Sequence, residues 1–141
     1  MQTTTPFQAT FQPLSILVVD DDPLLLRALA RMLREHELHL ACDAESALVA
    51  LRSVPIDVVL SDHQMPGSDG ITLLETVRQE SPMTRRVLMS GSAPRDLKEL
   101  RLTQVVQHFI HKPFKVDVAA QLTQLTYDPI QLPAVASHDV N

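Results

Sequence analysis

Five short apolar runs, each stopped by polar residues, set the strongest limit on how this chain can fold. They are Ile16-Leu17-Val18-Val19, Leu38 to Cys42, Ile56 to Leu60, Arg86 to Met89, and Val105-Val106 with Phe109-Ile110 close behind. Short runs rich in β-branched residues suit strands covered on both faces. Between them apolar residues recur at helical spacing. Asp22-Pro23 is an N-cap and first-turn pair that opens a helix carrying Leu25, Leu26, Leu29, Met32 and Leu33. Asp43 caps a second, with Ala44, Ala47, Leu48 and Leu51 on its apolar side. A third runs from Asp69 or Gly70 to Glu80, with Ile71, Leu74 and Val77 in step. Pro94-Arg95-Asp96 opens a fourth with Leu97, Leu100 and Leu102, and Phe114 to Leu125 reads as a fifth with Val116, Val118, Ala119 and Leu122. Strand and helix alternate five times, which predicts a doubly wound α/β domain, (βα)5, on a five-stranded parallel sheet.

The sequence has 141 residues, room for one domain. Residues 1–13 are polar with two prolines and read as a flexible leader; residues 14–127 form the domain, and 128–141 read as a tail or the start of a linker. A formal charge of -5 speaks against direct nucleic-acid binding, and the basic pair Arg85-Arg86 reads as a solvated face. Cys42 is the only cysteine, so neither an intrachain disulfide nor a thiolate metal cluster can form; it reads as a small buried hydrophobe. No apolar stretch approaches the roughly 20 residues of a membrane span, and the first residues carry no Lys or Arg as a signal peptide would. A cytoplasmic, soluble protein is the expectation.

The chemistry lies at the strand ends. Strand one ends in Asp20-Asp21-Asp22, strand three in Asp62, strand four in Ser90, and Lys112 follows strand five. In a parallel sheet these ends share one edge, where such folds bind ligands. Grouped carboxylates repel one another, and a hard cation such as Mg²⁺ offsets that repulsion. An ionised carboxylate can attack phosphorus and form an acyl phosphate. The transferring group needs positive charge around its oxygens, from the cation and from Lys112, while Ser90 and backbone N–H groups after Asp62 can donate hydrogen bonds. Singly, each residue is more often a cap, a turn or a solvated side chain; their joint placement is the signal. His63 beside Asp62 is not needed as a base, because a carboxylate is already ionised at neutral pH, and reads as a rim residue. The six histidines form no short zinc motif.

These residues resemble the receiver domains of bacterial two-component response regulators. The likeness spans roughly residues 14 to 125 and rests on Ile16 to Pro23, Asp57 to Gly67, Asp69-Gly70, Arg86 to Gly91 and Lys112-Pro113-Phe114. It implies the flavodoxin- or CheY-like strand order 2-1-3-4-5. It also implies that Asp62 accepts a phosphoryl group from a histidine kinase or phosphotransfer protein, with Mg²⁺ as cofactor and Mn²⁺ able to substitute. Asp20, Asp21, Asp62 and the backbone carbonyl of Gln64 would be the metal ligands. Ser90 and Phe109 would be the switch pair, and Lys112 the phosphate partner, with a cis bond to Pro113. Gln64 and Ser92 would tune how long the phosphoryl group lasts. The face built from the fourth helix, fifth strand and fifth helix would select a downstream target or support a phosphorylation-dependent homodimer.

Activity beyond turnover of its own phosphoryl group is not expected. Wording such as Ser61 to Gly67 with Met89-Ser90-Gly91 is also similar to receivers joined to cyclic-dinucleotide phosphodiesterases or sensor kinases, so the chain reads as a free-standing receiver or as part of a larger regulator or hybrid kinase. Rivals remain. A haloacid-dehalogenase-like phosphatase would use Asp20-x-Asp22, although Pro23 follows at once. A dinucleotide-binding module lacks its glycine-rich first turn. A scaffold that is never phosphorylated is the third.

Overall fold

The computed structural model describes residues 12–115 and 117–127. The proposed leader up to residue 11, Val116, and the proposed tail from 128 lie outside them. The elements are β1 Ser15–Val19, α1 Pro23–Met32, β2 Glu37–Ala41, α2 Ala44–Ser53, β3 Val58–Asp62, β4 Gln64–Met65, β5 Ser68–Asp69, α3 Gly70–Glu80, β6 Arg85–Ser90, α4 Leu97–Leu102, β7 His108–His111 and α5 Val118–Tyr127. Five strands make one parallel sheet in the order β2-β1-β3-β6-β7, which is the expected 2-1-3-4-5 once the small β4-β5 hairpin is set aside.

Side chains alternate across a strand, so each strand feeds two cores. Leu17, Val19, Val59 and Leu88 face one way and pack with Ala47, Leu73, Leu74, Val77 and Leu100 of α2, α3 and α4. Ile16, Val18, Val58, Leu60, Val87, Met89 and Ile110 face the other way and pack with Leu29, Val118 and Leu122 of α1 and α5. Every residue of β3 is buried, which is why Val58 to Leu60 show no polar alternation.

The first two helix starts carry the caps that the sequence suggests. Asp22 Oδ1 accepts from Leu24 N at 2.9 Å, and Asp43 Oδ1 from Ser46 N at 2.7 Å. Such caps typically stabilise by about 0.5–2 kcal/mol each.

Four expectations are corrected. Helix α5 begins at Val118 instead of Phe114: Asp117 supplies the cap, its Oδ1 accepting from Ala120 N and its carbonyl from Gln121 N. The last strand is His108–His111, and Val105-Val106 precede it, because Val106 N is drawn to the carbonyl of Leu100 at the end of α4. Cys42 is exposed, one residue beyond the end of edge strand β2. Arg86 is not on a solvated face; it is 2% exposed and ranks among the most buried side chains described.

Candidate active site

The parallel register brings the functional side chains to one rim. Asp20 follows β1 directly, Asp62 is the last residue of β3, Ser90 the last of β6, and Lys112 the first residue after β7. Asp62 lies opposite Met89, and Ser90 opposite His111, so β3, β6 and β7 end nearly level.

Lys112 is the centre of the arrangement. Its Nζ donates to Asp20 Oδ2 at 2.8 Å and to Asp62 Oδ1 at 2.9 Å. Asp20 is buried and its Oδ1 also accepts from Asp22 N at 2.8 Å, so both its oxygens are held. Asp21 is exposed, yet one oxygen from each of Asp20, Asp21 and Asp62 lies within 4.8 Å of the others. Three carboxylates thus face one ammonium, leaving two negative charges uncompensated. At an effective dielectric near 20, two such charges repel by on the order of 3 kcal/mol.

The pKa shifts follow. Burial pushes the Asp62 carboxyl above its ordinary value; the Lys112 hydrogen bond pulls it down, and the Asp20 charge pushes it up again. Burial by itself would lower Lys112, but hydrogen bonds to Asp20 and Asp62 outweigh it and the ammonium is raised. The two partners therefore disagree about the ionised pair: Lys112 favours it and Asp62 resists it. One ammonium divided between two acids accounts for both directions. One ammonium is too little positive charge for three carboxylates, and the candidate ligand atoms are all oxygens, which suits a hard divalent cation.

The loop after Asp62 is more ordered than the sequence suggested. The Gly70 N–H donates to the carbonyl of His63 at 2.7 Å, Gln64 and Met65 pair antiparallel with Asp69 and Ser68, and Gly67 takes the turn at φ +70. The His63 Nε2 lies 4.0 Å from Asp69 Oδ1, so its ring sits against the hairpin. Asp69 Oδ1 also accepts from Ile71 N at 2.9 Å and caps α3. Gly70 approaches Asp62 so closely that an added Cβ would overlap the Asp62 carbonyl oxygen. The pair Asp69-Gly70 stood out in the sequence, but the need for a bare Cα there depends on a neighbour eight residues back.

Ser90 is buried, and its Oγ accepts from Ser92 N at 3.3 Å. Phe109 lies opposite Leu88, so it shares a sheet face with Ser90; it packs on the α2-α3-α4 core and meets His111 edge-on at 6.2 Å. Gln64 and Ser92 are both exposed. The Lys112-Pro113 bond is cis.

Comparison with known proteins agrees with this geometry. Residues 16–124 match the sequence profile described as the response regulator receiver domain. The DNA-binding transcriptional regulator NtrC of Salmonella typhimurium is 33% identical over 111 residues, covering 77% of this chain and 24% of that protein. The DNA-binding response regulator MtrA of Mycobacterium leprae is 32% identical over 133 residues, covering 89% of this chain and 59% of that one. The chain spans about a quarter of the length of the NtrC regulators it matches. Among solved structures, the signal receiver domain of an HD domain-containing protein from Pseudomonas fluorescens Pf-5 superposes with a TM-score of 0.74 at 29% identity, covering 87% of this chain and 93% of that one. The chemotaxis response regulator CheY4 of Vibrio cholerae shares the fold, with a TM-score of 0.72 at 22% identity, covering 81% and 99%. With its strand order, its acidic rim and a matching profile over most of its length, this chain belongs to the response regulator receiver domain family.

Proposed function

We propose that the domain is a phosphorelay switch in which Asp62 takes a phosphoryl group from a histidine kinase or phosphotransfer protein. The observation that carries this is the Lys112 ammonium shared between Asp20 and Asp62, with Asp21 in reach. In the forward step an Asp62 oxygen attacks the phosphorus of a phosphohistidine. A P–O bond forms, the P–N bond breaks, and the leaving imidazole takes up a proton. Asp20, Asp21, Asp62 and the Gln64 carbonyl would hold Mg²⁺ or Mn²⁺, which supplies positive charge for the phosphoryl oxygens. Lys112 neutralises a further oxygen, and the Ser90 hydroxyl donates to another once the group is attached. Water later cleaves the acyl phosphate, and the exposed Gln64 and Ser92 govern its approach. A dephosphorylation time course in which variants at both positions matched the parent would remove that last assignment.

Phosphorylation is then read through Ser90 and Phe109 on the face of α4, β7 and α5, by a downstream protein, a joined output domain or a second copy. No helix among the described residues is long and apolar enough to cross a membrane. That the Pseudomonas fluorescens neighbour comes from an HD domain-containing protein supports the reading of this receiver as one part of a larger regulator. The phosphatase alternative is disfavoured because Asp22, which it needs as its second acid, is exposed and caps α1. Mass spectrometry after treatment with acetyl phosphate and MgCl₂ tests the proposal. One phosphoryl group on the parent and none on Asp62→Ala is expected; an unlabelled parent would overturn it.

A further inference from the structure

The mechanism leaves one buried charge unused. Arg86 lies near the start of β6, at the opposite end from Ser90, and among the described residues its guanidinium donates only to neutral carbonyls. Nε and Nη2 both donate to the carbonyl of Gln104, at 3.0 and 2.8 Å. Nη1 donates to Thr84 at 2.8 Å and to Pro82 at 3.3 Å. Burial, with Arg78 and Arg85 adding repulsion, lowers its pKa to about 10, so it stays charged at neutral pH. No carboxylate pairs with it among the described residues. An isolated buried cation is costly to keep, and replacing it by an apolar side chain would avoid that cost.

What it holds is the far end of α4. Gln104 follows the C-cap Thr103 and sits at φ +66, a left-handed conformation rare outside glycine. Gln107 completes the clamp: its Oε1 accepts from Arg86 N at 2.8 Å, and its N–H donates to the Arg86 carbonyl at 2.9 Å. The last carbonyls of α4 are taken up as well, Glu99 by Thr103 N and Leu100 by Val106 N.

The near end of α4 is held far less. Asp96 makes no side-chain cap bond, Gly91, Ser92 and Ala93 are exposed, and Ser92 N is tied to Ser90 Oγ at 3.3 Å. When Ser90 turns toward a phosphoryl oxygen, that tie is withdrawn. We infer that Arg86 is the fixed end of a lever: it pins the C-terminal end of α4 through Gln104, so phosphorylation swings the N-terminal end of α4 instead of moving the helix as a whole. Arg86 is thus a positioning residue for signal output, without contact to the phosphoryl group. The inference rests on the phosphoryl switch proposed above.

Amide hydrogen exchange of the full chain, with and without acetyl phosphate and MgCl₂, tests it, with the label on Asp62 counted in the same samples. In the parent, exchange in residues 91–98 should change at least fivefold on phosphorylation, and in residues 101–107 less than twofold. In Arg86→Lys, which keeps the charge and loses the planar fork, labelling of Asp62 should match the parent, while residues 101–107 change together with 91–98. If labelled parent shows both segments shifting equally, or if labelled Arg86→Lys behaves as the parent, the lever is wrong. The parent comparison stands even if the variant folds poorly. An unlabelled parent would instead count against the switch itself.

Discussion

Replacing Gly70 by Ala should destabilise the domain, against the ordinary trend for helices. Alanine is favoured over glycine inside a helix by about 1 kcal/mol, and less than that is available at Gly70 because it is the first residue of α3. The new methyl would meet the Asp62 carbonyl oxygen, which belongs to a fully buried central strand, with Ser61 Oγ 3.0 Å away as well. Backbone cannot rotate aside as a flexible side chain can. Overpacking of this kind costs about 1–3 kcal/mol, and an obstacle made of backbone argues for the upper half. The net expectation is a loss of about 2 kcal/mol, or roughly 6–10 °C in Tm for a chain of this size. Urea unfolding should show a lower midpoint with an unchanged slope. Because the displaced atoms belong to Asp62 itself, labelling by acetyl phosphate should slow at least tenfold, since small misplacements of a reacting group are costly. A Gly70→Ala protein as stable as the parent, or more so, would refute the claimed close approach.

Lys112→Met should lower the rate of Asp62 labelling by roughly 10²–10³-fold, the usual loss on removing one pre-placed charge donor; a rate within threefold of the parent would contradict its role. MgCl₂ should add stability to the parent and none to Asp21→Asn, which in chelator should show a raised unfolding midpoint because one of three crowded charges is gone. The pH dependence has a definite sign. Since the folded pKa of Asp62 lies above the unfolded value, the native state binds the extra proton and stability falls as pH rises through the window between them. Asp62→Asn measured in chelator should therefore exceed the parent in stability at pH 7, with the gap closing below about pH 4. Lys112 contributes the other way: its raised pKa gives stability that is full at neutral pH and fades only in strong alkali, as pH passes its folded value.

The sheet and the acidic rim were readable because each rests on short-range information. Val58 to Leu60 have no polar alternation, so a strand covered on both faces follows, and Asp22-Pro23 marks a helix start within two residues. Once the strands are parallel, Asp20, Asp62, Ser90 and Lys112 must share an edge whatever the details. The errors arose where a distant partner decides. Arg86 resembles any surface arginine until the Gln104 carbonyl arrives from 18 residues away. Val105-Val106 have strand composition, yet α4 claims their backbone through Leu100. Cys42 continues the apolar run of β2, but the neighbouring strand gives out at Val19, whose partner is Ala41, and the cysteine is left outside. Asp117 was a legible cap that Phe114 obscured by being apolar.

The order in which the rim residues leave the ribosome has a consequence of its own. Its acids come from the first half of the sequence and the lysine that bridges them from residue 112, after all five sheet strands have been made. A nascent or truncated chain ending before His108 would expose clustered anions with no ammonium to hold them together. If Asp62 takes a phosphoryl group as proposed, competence for that chemistry is deferred until the last strand has docked and Lys112 has reached the rim.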